Sequence, residues 1–238
     1  MLHPEAPLAL RLVLLIHIAA GSVALFVAPL ALAVRKGGRA HRRWGNAYVL
    51  AMAVVAATAF VCGPYFHDYF LLLIAVFSSY LAFTGWRALA YKRPRAVAIV
   101  DWTGAALAVT AGLGMLAMSV VGRANFGSFS FVVAVFGTIC MGAGIRSAYR
   151  FVRPPRAKAA WFIEHFSNML AAYIATVTAF SVVNLTFLPV TVRWLWPTVV
   201  GTIAITAYNF KYRPLIARAG GRIETIVPAV AAASVRPA

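Results

Sequence analysis

Long apolar runs alternate along this chain with short clusters of charge. The apolar runs extend from Ala9 to Val34, Trp44 to Phe66, Tyr69 to Tyr91, Val97 to Val121, Phe126 to Tyr149, Trp161 to Thr186 and Pro189 to Phe210. A helix needs about 20 such residues to cross the hydrocarbon of a bilayer. The runs are too long for membrane strands and do not alternate with period two, as strands of a membrane barrel would. The pattern predicts an all-α integral membrane bundle of about seven transmembrane helices over residues 1–222. Residues 223–238 are Ala-rich and weakly patterned, and read as a disordered tail. The first run is long and lacks a small-residue cleavage site, so it reads as a span and not as a removed signal peptide.

The charge clusters orient the bundle. Arg35, Lys36, Arg39, Arg42 and Arg43 fill the first loop. Arg87, Lys92, Arg93 and Arg95 surround the third. Arg146, Arg150, Arg153, Arg156 and Lys158 surround the fifth, and Lys211, Arg213, Arg218, Arg222 and Arg236 follow the last span. Only Arg11, Arg123 and Arg193 of the 22 Lys and Arg fall on the other side. Cytoplasmic loops carry the excess of Lys and Arg. The expectation is an external N-terminus and a cytoplasmic C-terminus.

Composition agrees. Hydrophobic residues make up 63 % of the 238 and charged residues 11 %, against about 45–50 % and 25 % in soluble domains. The lipid bilayer is therefore the first partner. The net charge of +17 sits in alternate loops, which argues against nucleic acid. Cys62 and Cys140 both lie in apolar runs and form no CxxC pattern, which leaves no covalent haem attachment or zinc motif. No lysine lies in the middle of the seventh run, so a retinal Schiff base is not expected. No HExxH, P-loop, GxSxG or Rossmann pattern is present. Gly104, Gly112 and Gly114 in the fourth run, and Gly137, Gly142 and Gly144 in the fifth, let helices approach closely. The same small-residue faces could build a homo-oligomer.

Ionisable groups inside spans are costly and usually face the bundle interior. His17 is about 12 Å below the outer end of the first span, where hydrogen bonds between helices would satisfy a lone imidazole. His41 opens the second span from the cytoplasmic side, and His165 is about one turn into the sixth. Asp101 begins the fourth span from that side. With Glu164, and with Arg43 nearby, these residues are expected to converge in one polar cluster at the inner mouth. Glu164 and His165 point about 100° apart, so only one faces the centre directly, and Asn168 is three residues on from His165. The alternative is that Asp101 and Glu164 serve helix-end electrostatics.

Three segments carry a resemblance. His17-Ile18-Ala19-Ala20-Gly21-Ser22 with Ala28-Pro29-Leu30, then His41-Arg42-Arg43-Trp44-Gly45-Asn46-Ala47-Tyr48, then His165-Phe166-Ser167-Asn168-Met169-Leu170-Ala171-Ala172-Tyr173 resemble the bacterial membrane-protein family called domain of unknown function 2306. The resemblance covers most of the membrane core and not the tail. It implies a multi-pass protein of the bacterial inner membrane and singles out His17, His41, Arg42, Gly45, His165 and Asn168. It implies no activity.

Three functional readings stay open. One is a ligand or cofactor site built on histidine, with His41 and His165 as axial ligands of a b-type haem iron. The layout loosely resembles di-haem membrane cytochromes, but those use two matched pairs, and His17 has no partner at its depth. Another is a proton-coupled carrier with Asp101, Glu164, His165 and His17 as stations. The last is a non-catalytic assembly or partner subunit.

Overall fold

A computed structural model describes residues 5–92, 97–122, 127–155 and 160–218. The proposed tail and several loop cations (Arg93, Arg95, Arg123, Arg156, Lys158, Arg222 and Arg236) lie outside these residues. The described residues form α1 (Leu8–Ala33), α2 (Arg39–Tyr65), α3 (Tyr69–Arg87), a 3-10 turn (Ala88–Lys92), α4 (Ile99–Val121), α5 (Phe129–Val152), α6 (Ala160–Asn184) and α7 (Val190–Arg218). Seven helices are long and apolar enough to cross a membrane, and the described residues contain no strand. This is a multi-pass membrane protein. Successive spans run in opposite directions, so the loops after α1, α3 and α5 share one end, called here the basic end.

Two boundaries differ from the apolar runs in a way that matters. The second helix starts at Arg39 and not at Trp44. Hydropathy marks where a helix enters lipid, whereas the helix itself begins at the preceding turn. That turn is made by Gly37, whose φ of 74° suits a residue without a side chain. The Arg42 N–H donates to Gly38 O at 3.1 Å and opens the helix. His41 is therefore on the first turn of α2. The third run likewise divides, with regular helix ending at Arg87 and a tighter turn following.

Helix α3 packs against α2, α4 and α6, and α6 also meets α1 and α7. The tightest pair is α4 with α5. A Cβ added to Gly112 would stand 2.5 Å from Met141 N, and one added to Gly144 would stand 2.7 Å from Ala105 O. Gly137 is similarly enclosed by Gly112 and Leu116. Three of the six glycines noted in these helices thus set the α4–α5 distance within one chain, whereas Gly142 faces open space. Near the end opposite the basic loops, Phe70, Phe129, Phe136 and Trp194 form an aromatic cluster of edge-to-face and tilted pairs joining α3, α5 and α7, with ring centroids 5.3–5.9 Å apart. Large apolar side chains such as Leu12, Phe26, Leu107 and Ile203 stay exposed, as a lipid-facing surface requires.

Candidate functional site: a histidine pair at the basic end

The basic end holds a cavity of about 390 Å³ between α1, α2, the end of α3, α6 and α7. That volume is within the range of small-molecule and cofactor sites, about 300–1,000 Å³. His41 and His165 both line it, as do the aromatic residues Tyr48, Trp86, Phe166, Tyr173 and Tyr208. The two imidazole centroids are 6.3 Å apart, with ring planes at 76°.

Each ring is held by the end of another helix. The last four carbonyls of a helix have no intrahelical donor. Because α1 ends at Ala33, Ala31 O is one of them, and it accepts from His41 Nδ1 at 2.9 Å. Because α3 gives way to a 3-10 turn after Arg87, Gly85 O is another, and it accepts from His165 Nδ1 at 2.8 Å. A carbonyl can only accept, so Nδ1 carries the proton in both rings. In a neutral imidazole the lone pair is then on Nε2. An Nδ1–H donated to a backbone carbonyl is the usual outer support of a metal-ligating histidine, because it fixes the tautomer and raises the basicity of the other nitrogen.

Two cations flank the mouth. Arg42 Nη1 donates to Gly37 O at 2.8 Å, and Lys36 Nζ caps Leu32 O. Both side chains line the cavity. Burial lowers the Lys36 pKa from its ordinary value. Gly45 is one turn along α2 from His41, also on the cavity wall, and a Cβ there would meet nothing within 4 Å. The floor is closed by Tyr48, which is 2 % exposed and bonds to Thr176 Oγ1 at 3.3 Å. The Thr176 hydroxyl also reaches Ala172 O at 3.2 Å.

The single cluster expected from sequence is divided by the fold. His41 and His165 come together, but Asp101 does not join them. It is 4 % exposed and forms a two-pronged ion pair with Arg87, with Nε–Oδ1 2.7 Å and Nη2–Oδ2 2.8 Å. It also accepts from Ala98 N at 2.9 Å, closing the first turn of α4. Glu164 turns away from His165 into a second cavity, where it pairs with Arg150 at 3.2 Å. Asn168 goes with Glu164 and not with His165. Residues four apart stack on one helix face, so Glu164 pairs with Asn168 and His165 with Met169.

His17 is far from this site. Its Nδ1 contacts Thr58 Oγ1 at 2.8 Å. Thr58 Oγ1 is also within 2.7 Å of Val54 O and 3.0 Å of Val55 O on its own helix. Thr58 is about 10 Å from the Tyr65 end of α2, whereas His41 is at the other end. Trp86 and Tyr208 were not singled out by sequence, and Lys36 was read only as an orienting charge. Tyr173 carried a signal that could have placed it, since His165, Met169 and Tyr173 recur every four residues.

Among the described residues no group of three or more His, Cys, Asp or Glu could hold a metal ion. The protein donor set at this site is two imidazoles. No family model matches the chain, and no curated protein or solved structure matches it either.

Proposed function

We propose that this protein binds one b-type haem at the basic end of its bundle, with His41 and His165 as the two axial ligands. The observation that supports this most directly is the relation of the two rings. Two imidazoles on opposite faces of one metal stand with ring centres about 6 Å apart: a bond of about 2 Å and about 1 Å more to the ring centre, on each side. The observed separation is 6.3 Å. A structural zinc site needs four protein ligands and a catalytic one three. Two imidazoles suit a metal that brings its remaining ligands with it, as haem iron does.

The rest of the cavity fits the same group. Its wall is largely aromatic and apolar, and Lys36 and Arg42 place positive charge where the two carboxylates of haem b could lie. Bound there and held by His41 and His165, haem would supply one-electron redox chemistry. The chain's own part is to hold both imidazoles in one tautomer through Ala31 O and Gly85 O and to exclude water with Tyr48, Trp86 and Tyr173. The carrier reading gains less support, because His165 and Glu164 line different cavities, while Asp101 is held by Arg87 and His17 by Thr58. Membership of the family domain of unknown function 2306, whose pattern includes both histidines, belongs to the same proposal.

Protein expressed with haem supplementation and purified in mild detergent should carry a Soret band and about one non-covalent haem per chain. Wild-type protein that stays colourless would end this reading and favour a scaffold role.

The orientation is part of the proposal. With the N-terminus outside, the haem site would be on the cytoplasmic side of the bacterial inner membrane. Reporter fusions at Gly37 and Ala157 should then read cytoplasmic, and one at Asp68 external. An external signal at Gly37 would invert the scheme.

A further inference from the structure

The second cavity, of about 340 Å³, is between α3, α5 and α6 and shares no wall residue with the histidine site. It exists because α5 packs on α4, and its backbone stays apart from that of α6 among the described residues. Its lining changes along its length. At the basic end it presents Arg146, Arg150 and Glu164, with Ser147, Ser167 and Asn168 beside them. Further along α5 it presents Ala143, Gly142 and Ile139. Ile139 is about 16 Å from Arg150 along the helix. Ile139 is 40 % exposed, and a Cβ on Gly142 would meet nothing within 4 Å, so this wall opens sideways onto the lipid.

We infer that this cavity seats an anionic phospholipid, its headgroup phosphate between Arg146 and Arg150 and one acyl chain along Gly142 and Ile139. Two guanidiniums face one carboxylate in the lining, so the site attracts an anion. A guanidinium has five donors in a planar fork that matches phosphate oxygens. Arg150 approaches Glu164 with Nη1 at 3.2 Å, and a guanidinium engaged by one carboxylate keeps further donors for a second acceptor. Basic pockets between transmembrane helices on the cytoplasmic side suit anionic headgroups. Arg150 is about half the hydrocarbon thickness of a bilayer from Ile139, on the scale of one acyl chain in one leaflet. A soluble anion would have no use for the apolar half.

The test is native mass spectrometry of the full chain released from nanodiscs containing equal amounts of phosphatidylglycerol and phosphatidylcholine. Wild-type protein should retain phosphatidylglycerol in preference. Arg146→Gln and Arg150→Gln should each weaken that retention about fivefold. Arg153→Gln, outside the cavity on the same helix end, should leave it unchanged. Equal retention of both lipids, or an equal loss in Arg153→Gln, would overturn the inference. So would displacement of the bound lipid by millimolar inorganic phosphate, which would assign the site to a soluble anion. The haem proposal is independent of every one of these outcomes.

Discussion

Replacing Asp101 by alanine is expected to destabilise the bundle by about 3 kcal/mol, because removing one partner of a buried ion pair leaves the other charge uncompensated. Asp101 connects two helices. It holds the Arg87 guanidinium of α3 through both oxygens and also satisfies Ala98 N at the start of α4. The second bond alone is worth about 1 kcal/mol as a helix cap. The total is at the lower end of the usual 3–5 kcal/mol, since the Arg87 side chain is 12 % exposed and can turn toward the interface. The double variant Arg87→Met/Asp101→Leu should recover most of the loss, because an apolar pair of similar volume removes both charges together. Unfolding midpoints in mixed micelles measure both. A single variant within about 0.5 kcal/mol of wild type would show that the pair does not hold α3 to α4.

The second large effect is on ligand binding. His165→Ala should weaken haem retention by more than about 100-fold, since loss of an outer-shell partner alone costs 10–100-fold in metal sites. The variant should keep its elution volume and helicity, because His165 is partly exposed and closes a cavity rather than filling the core. Added imidazole should restore part of the Soret band by entering the space left behind. Unchanged haem binding in His165→Ala would remove the assignment, as would a loss of folding that imidazole fails to correct.

How far the sequence anticipated these sites follows from its physical constraints. Lipid cannot satisfy a backbone amide, so seven uninterrupted apolar runs had to be helices, and all seven are. Depth was legible too, because counting residues from the loops put His41 and His165 at one level. Lateral position was not. Asp101 starts α4 at that same level, yet α4 packs on the side of α3 that presents Arg87, away from α2. Glu164 and His165 were expected to diverge, and they do, into separate cavities. Asn168 was placed with His165 because three residues is nearly a turn, but four is the closer match and gives it to Glu164. The carbonyls that hold the histidines were illegible for another reason. Ala31 O and Gly85 O are open to a side-chain donor because α1 stops at Ala33 and α3 changes to a 3-10 turn after Arg87, and hydropathy does not mark either point.

The axial ligands can be read directly from the electron paramagnetic resonance spectrum of the oxidised, haem-reconstituted wild-type protein at low temperature. Two imidazoles on one ferric iron give a low-spin signal, and the near-perpendicular rings, 76° apart, should give the strongly anisotropic form of it. His41→Ala and His165→Ala should each convert any retained haem to high spin. A wild-type spectrum that is high-spin, or one that is low-spin and unaltered in both variants, would contradict ligation by this histidine pair.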